Sequence, residues 1–233
     1  MHTVLAIDTS TDACSVGLAT PTASVEVHRI IPKAHNKHIL QMIDELLGDM
    51  PPSSVDLFAC GVGPGSFTGL RIAASVTQGL AWALEKPVAP FCSLECQAQV
   101  FLSEHPNAQG LLLSCTDAQI GEMYWRWFEC SKGQLTAVTE PAMSLPEELK
   151  SPGALPSAYI VGSGCHYVAA MSSGVIGADT QCFSSVRPHG GIMAAKIQAN
   201  IQPKHWCAPQ DLTPRYIQQD IGWKKLSEQP RRV

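Results

Sequence analysis

The 233-residue sequence has no strong excess of either charge and no long apolar segment. Its formal net charge of -4 contrasts with the basic surface of a domain that binds nucleic acid unaided, so we expect no strong nucleic-acid binding by this chain alone. No apolar run approaches the roughly 20 residues of a transmembrane helix. No basic segment precedes the first apolar residues, as it would in a signal peptide. These absences predict a cytoplasmic protein that does not engage a membrane.

The sequence also lacks the paired cysteines of a disulfide framework or a structural zinc site. The nine cysteines are odd in number and include no CxxC pair. Several lie in apolar segments, where a free thiol behaves as a small hydrophobic group. His35 and His38 share one face of a predicted helix, but no third ligand accompanies them. We expect reduced thiols and no bound metal.

Strands that alternate with helices predict an α/β fold. A buried strand ends at Asp8, and a turn and a second strand follow. The same order of strand, carboxylate, turn and strand recurs around Asp117. This repeat predicts two lobes of related architecture. We place them at residues 1–105 and 106–202, with the tail, 203–233, packed on the first lobe.

The two strand-end carboxylates allow two interpretations. In two-lobed ATPases, carboxylates at such strand ends coordinate Mg²⁺-nucleotide and small residues in the turns approach the phosphates. That interpretation places a nucleotide cleft at Asp8, Thr9, Ser10 and Asp117. In the other interpretation, the acids only cap their turns. The turn after Asp117 contains one glycine and no hydroxyl, so the second phosphate-binding turn is incomplete.

A glycine-rich segment connects the fourth predicted strand to the second helix. We call it the glycine segment, and it consists of Gly63, Pro64, Gly65, Ser66, Phe67, Thr68 and Gly69. It can bind phosphate at a helix N-terminus, but no Lys-Ser/Thr pair follows it, so it is not a Walker A sequence. Glycines that permit a tight turn and close helix packing are the favoured explanation. An exposed Phe67 in such a segment would serve recognition.

Four segments together resemble the TsaB family, which is also called YeaZ. They are Gly63–Ile72, Leu5–Thr11, Gly121–Trp125 and the tail from Tyr216 through Trp223-Lys224-Lys225-Leu226. The resemblance implies two ribonuclease-H-like lobes of the actin and Hsp70 type, with mixed central sheets flanked by helices. It also implies a role in adding threonylcarbamoyl to the adenosine beside the anticodon of tRNAs that read ANN codons. In that system TsaD transfers the group, TsaE is an ATPase that joins the complex, and TsaB binds and supports TsaD.

The catalytic relative TsaD carries a His-Met-Glu-Gly-His metal motif. The stretch here that resembles it is Ser93-Leu94-Glu95-Cys96-Gln97, in which both histidines are absent. A catalytic metal therefore lacks its imidazole ligands. The resemblance implies a non-catalytic subunit without an intrinsic cofactor, with indirect contact to tRNA, and leaves open ATP or ADP at the interface of the assembled complex. The alternatives are a self-sufficient ATP-dependent or metallopeptidase-like enzyme, and a purely self-associating structural protein.

The first two predicted helices are the expected contact surface for TsaD. Each has an apolar stripe, and the second has no charged residue from Ile72 to Leu84, so it can bury more than one side. Two such helices can form a four-helix bundle with two helices of a partner, and we expect a homodimer through the same face when TsaD is absent. The residues predicted in this surface are Ile39, Leu40, Ile43, Leu46, Leu47, Leu70, Ala73, Ala74, Thr77, Leu80 and Ala81.

Overall fold

The computed structural model describes residues 2–153 and 157–217. Residues 218–233 of the tail, including the Trp223–Leu226 part of the family resemblance, lie outside these residues. Within them, the predicted α/β class and the two mixed sheets flanked by helices are confirmed. No helix in the described part is both long and apolar enough to cross a bilayer.

The first sheet has five strands in the order β3-β2-β1-β4-β5. The first three strands are antiparallel neighbours, whereas β1, β4 and β5 run parallel. Alternate residues of β1 point to opposite faces, and both faces are buried. The strands are β1 (Val4–Asp8), β2 (Ala13–Ala19), β3 (Ser24–Ile30), β4 (Leu57–Gly61) and β5 (Val88–Phe91).

The second sheet repeats this arrangement. Its order is β11-β10-β6-β7-β8. Strands β8, β7 and β6 are antiparallel neighbours, as β3, β2 and β1 are in the first sheet, whereas β6, β10 and β11 run parallel. Strand β9 pairs with β7 outside this path. The predicted internal repeat is therefore present in the topology. The strands are β6 (Gly110–Asp117), β7 (Met123–Ser131), β8 (Gln134–Ala137), β9 (Ala142–Ser144), β10 (Ser157–Val161) and β11 (Ile176–Phe183).

Among residues 2–153 and 157–217, four α-helices cover the sheets. Helices α1 (His35–Leu47) and α2 (Phe67–Ala83) lie on one face of the first sheet, and α4 (Gly190–Ala199) lies on the other. Helix α3 (Ser93–Glu104) packs on the second sheet and also contacts α4, so it stands between the lobes.

The position of α4 corrects the predicted lobe boundary. Its residues fall in the range 106–202 that was assigned to the second lobe, but Met193 and Ala194 pack on the first sheet. The physical reason is that β1 and β2 are buried on both faces, while α1 and α2 cover only one of them.

The described part of the tail also lies on the first lobe. Cys207 exchanges two backbone hydrogen bonds with Val88, of 2.8 and 3.0 Å, and the Arg215 amide donates to the Val62 carbonyl at 2.8 Å. Leu212 is buried in the same core as α1 and α2. Residues from both ends of the described chain therefore complete the first lobe.

Candidate functional site

A cleft of about 1010 Å³ separates the two lobes. The turn after β1, the first turns of α1 and α2, and the turn after β6 form its walls. The polar residues that line it include Ser10, Thr11, Asp12, Lys33, His35, Ser66, Thr68, Asp117, Gln119, Tyr124 and Ser163. Of the four residues predicted for a nucleotide cleft, Ser10 and Asp117 line it, whereas Asp8 and Thr9 lie buried beneath its surface.

Asp8 is the buried acceptor at the centre of the first turn. Its Oδ1 accepts hydrogen bonds from the Ser10 amide at 2.8 Å and the Ser10 hydroxyl at 2.6 Å, and its Oδ2 accepts from the Ser93 hydroxyl at 2.7 Å. Burial raises the pKa of Asp8, and these three donors offset part of that rise. The contacts of Asp8 favour the interpretation in which it caps a turn.

The glycine segment packs directly on this first turn. The Ser66 amide donates to the Ser10 carbonyl at 2.7 Å, and the Thr9 hydroxyl donates to the Gly69 carbonyl at 2.7 Å. A Cβ at Gly69 would overlap the Thr9 carbonyl, and one at Gly65 would overlap the Ser10 carbonyl. Both glycines are therefore explained by the close approach of two backbones, as the packing interpretation expects.

Asp117 occupies the equivalent place in the second lobe, but it faces the cleft. Its Oδ1 accepts hydrogen bonds from the Gln119 amide at 2.7 Å and the Tyr167 hydroxyl at 2.9 Å. Its side chain is only partly buried. A carboxylate with an accessible oxygen remains able to contact a cation or a polar ligand that enters the cleft.

Two buried polar side chains of α3 connect the lobes. The Gln97 amide nitrogen donates to the Ser114 hydroxyl at 2.9 Å, the Val161 carbonyl at 3.0 Å and the Cys115 carbonyl at 3.3 Å. One turn earlier, Ser93 donates to Asp8 in the first lobe. The resemblance to TsaD places its two histidines at these positions, and here both side chains form hydrogen bonds that hold the fold together. The sequence indicates Gln97 only as a missing histidine of that motif.

The pair α1 and α2 forms a shallow, mainly apolar groove of about 410 Å³. Most of the side chains predicted to contact TsaD are not accessible on the surface of this pair. Seven of the predicted contact residues are buried against the protein's own sheet: Ile39, Ile43, Leu70, Ala73, Ala74, Thr77 and Ala81. Leu46, Leu47 and Leu80 are half-buried, and Leu40 is 61% exposed. The apolar stripes face inward because they are what the sheet needs to cover its own face.

The open side of the groove contains residues that the predicted contact surface for TsaD did not include. They are Asn36, Phe67, Thr68, Arg71, Ile72, Ser75 and Val76. Phe67 is 48% exposed. The Arg71 guanidinium lies 3.8 Å from the centre of the Phe67 ring, and Arg71 Nε donates to the Tyr216 hydroxyl at 3.0 Å. The end of the glycine segment is thereby fixed beside the tail.

Comparison with known proteins gives a consistent family. A family model described as "TsaD: tRNA N6-adenosine threonylcarbamoyltransferase" matches residues 27–221. A protein of Haemophilus influenzae named "tRNA threonylcarbamoyladenosine biosynthesis protein TsaB" is 30% identical over 96% of this chain and 97% of its own length. The chain belongs to the TsaB family.

Solved structures agree with this TsaB assignment. "YeaZ from Pseudomonas aeruginosa" superimposes with a TM-score of 0.82 at 31% identity, over 93% of this chain and all of the other. A second Pseudomonas aeruginosa structure has the same TM-score and identity over 94% of this chain and is described as an uncharacterized protein with similarity to peptidase YEAZ.

Three of the segments that carry the TsaB resemblance meet in one region of the structure. Leu5–Thr11 forms β1 and the first turn, and the glycine segment packs on that turn. Tyr216 lies against Phe67, with 5.1 Å between ring centres. The family pattern therefore describes a packed structural unit at the base of the cleft and the edge of the groove.

Proposed function

We propose that this chain is a non-catalytic subunit of the complex that adds threonylcarbamoyl to the adenosine beside the anticodon of tRNAs reading ANN codons, and that it binds and supports TsaD. The name of the Haemophilus influenzae relative supports the pathway. One structural observation supports the non-catalytic role. Ser93 donates to Asp8 in the first lobe and Gln97 donates to strands of the second, so neither of the side chains that the resemblance places at the two metal-binding histidines of TsaD is available to a metal.

The groove between α1 and α2 is the surface proposed to contact TsaD. Its lining is mainly apolar, and Leu40, Phe67 and Ile72 stand at the opening. Covering such a patch with an apolar surface of another protein removes it from water. The same reasoning predicts a homodimer through this groove when TsaD is absent.

The interlobe cleft is the place proposed for ATP or ADP, bound only when the complex is assembled. Asp117, Lys33 and Thr68 line the cleft, whereas Asp8 already accepts three hydrogen bonds. The Asp8 half of the expected phosphate site is therefore already occupied by hydrogen bonds within the protein. In this proposal TsaE joins the complex, contact with tRNA is indirect, and the nine free thiols are typical of a cytoplasmic protein.

The experiment compares Leu40→Glu with Val138→Glu in binding to TsaD by isothermal titration calorimetry. Both replace an exposed apolar side chain by a carboxylate, but Val138 lies beside β8 in the second lobe. We expect Leu40→Glu to weaken binding by at least tenfold, because a charge would be buried in an apolar contact. Val138→Glu should bind as the unchanged chain does.

Equal affinity of both variants for TsaD would refute the groove as the contact surface. Thermal melts of the variants alone provide the folding control, and size-exclusion chromatography without TsaD reports on the homodimer. Ala74→Glu is unsuitable for this purpose, because Ala74 is 5% exposed and packs in the core. We expect that variant to unfold rather than to lose binding selectively.

A further inference from the structure

Away from the cleft and the groove, three potential metal ligands come together at the edge of the first sheet. Glu26 and His28 are two residues apart on β3, so their side chains point to the same face. His189 directly precedes α4, which packs on that face. One ligand atom from each residue lies within 4.8 Å of the other two.

The carboxylate is already oriented by its neighbours. Glu26 Oε1 accepts hydrogen bonds from the Ser15 hydroxyl at 2.5 Å and the Gly191 amide at 3.1 Å. Glu26 Oε2 lies 2.8 Å from His189 Nδ1. Burial raises the pKa of Glu26, but the hydrogen bonds from His189 and Ser15 outweigh it and hold the pKa below its usual value.

His28 contributes a nitrogen with no assigned role in the fold. Its Nδ1 is buried and has no hydrogen-bond partner among the described residues. An unpartnered buried nitrogen is costly, and an imidazole nitrogen is a common metal ligand.

We propose that Glu26, His28 and His189 bind one divalent transition-metal ion of the zinc class. Two imidazoles with one carboxylate suit zinc and its neighbours in the first transition row, whereas magnesium and calcium prefer oxygen ligands throughout. All three residues are half-buried, so a water molecule can complete a tetrahedral site. Ser15 and Gly191 supply the outer hydrogen bonds that orient a ligating carboxylate.

Binding requires one local rearrangement. The His28 and His189 rings are parallel to within 5°, with centres 4.0 Å apart, and a metal lies in the plane of each imidazole that ligates it. One ring must therefore turn about its Cβ–Cγ bond, and the His189–Glu26 hydrogen bond is exchanged for bonds to the ion. The ion would then connect β3 to the start of α4, a structural role independent of the proposed partnership with TsaD.

The test measures zinc binding and thermal stability of the full-length chain after treatment with a chelator. We expect one zinc ion per chain by calorimetry and a melting temperature raised by about 5–10 °C when free zinc exceeds its dissociation constant ~100-fold. Magnesium should give no shift. With cobalt as the probe, the absorption spectrum should lack a thiolate charge-transfer band, which distinguishes this site from the cysteines.

The variants His28→Gln, His189→Gln and Glu26→Gln should each lose the zinc-dependent shift. His205→Gln, which changes an exposed histidine of the tail, and Cys182→Ser, which removes an exposed thiol, should retain it. Each variant is compared with itself in the absence of metal, so a lower intrinsic stability does not obscure the result. No stoichiometric zinc binding, or a zinc shift that persists in the three variants, would overturn the proposal.

Discussion

The two strand-end carboxylates occupy equivalent places in the two lobes but have different environments. Asp8 is buried, accepts three hydrogen bonds and supports the turn on which the glycine segment packs. Asp117 is partly exposed in the cleft and contacts Gln119 and Tyr167. The same sequence pattern of strand, carboxylate and turn thus places one acid in the interior of its lobe and the other at the surface of the cleft. In the first lobe the glycine segment packs on the turn and the Ser93 hydroxyl donates to the Asp8 carboxylate. In the second lobe the Ser163 hydroxyl, in the turn after β10, accepts from the Asp117 amide at 3.0 Å, and the carboxylate stays partly exposed.

The largest predicted effect is the difference between Asp8→Ala and Asp117→Ala in the free energy of unfolding. Asp8→Ala leaves two hydroxyls and an amide buried without their acceptor, which should lower the free energy of unfolding by about 3 kcal/mol or more. Asp117→Ala affects a partly exposed side chain and should cost less than about 1 kcal/mol. Denaturant unfolding of both variants at pH 7 measures the difference.

A matched variant, Asp8→Asn, separates charge from hydrogen bonding at the same site. The pKa of Asp8 is higher in the folded chain than in the unfolded chain, so its ionisation destabilises the fold above that pKa. Below the unfolded value of about 3.9 the penalty is absent. Asp8→Asn should therefore unfold near the unchanged chain at pH 7. Equal costs for alanine at positions 8 and 117 would contradict the comparison.

A second prediction concerns the connection between the lobes. Gln97→Leu keeps the side-chain volume but removes the donor to Ser114, Val161 and Cys115, and should cost about 2–3 kcal/mol. The control is Gln210→Leu at an exposed position, which should change the free energy of unfolding by less than about 0.5 kcal/mol. A stable Gln97→Leu protein would show that the amide is not needed to join the lobes.

The smallest predicted effect depends on pH. The Arg187 guanidinium donates to Asp12 and, although burial opposes it, holds the pKa of Asp12 below its usual value. Their ion pair therefore adds stability above the unfolded pKa of about 3.9 and loses it as the pH falls through the lower folded value. Asp12 is 39% exposed, so Asp12→Asn should cost only about 0.5–1 kcal/mol at pH 7.

Urea unfolding of Asp12→Asn across the acid range checks this sign. The curves of the variant and the unchanged chain should converge as the pH falls below about 4. Asp49→Asn, at an exposed position, provides the control and should show no such convergence. A gap that stays constant with pH would exclude the ion pair as its cause.

Sequence reasoning captured the layers of the fold because they follow from local periodicity. The buried strand before Asp8 and its repeat before Asp117 predicted two related lobes, and the two sheets share one strand order. The placement of α4 was wrong, because nothing local in residues 190–199 states which of two apolar sheets a short helix will cover.

The site was harder to predict because exposure is a property of the assembled chain. The apolar stripe of α2 predicts a partner surface, yet Leu70, Ala73 and Ala81 face the protein's own sheet. Gln97 could be recognised only as a missing histidine, since its three acceptors come from strands that are distant in sequence. The packing interpretation of the glycine segment agrees with the structure, because it depends only on the close approach of Gly65 and Gly69 to the backbone of the first turn.

The central claim is that this chain supports threonylcarbamoyl transfer without performing it, and an omission experiment tests it most directly. Transfer of threonylcarbamoyl to an ANN-decoding tRNA is measured with threonylcarbamoyl-adenylate as the donor of the group, in the presence of ATP and TsaE. The reaction contains this chain alone, TsaD alone, or both. The account predicts no turnover by this chain alone and substantially more turnover by the pair than by TsaD alone. Transfer by this chain in the absence of TsaD would contradict it.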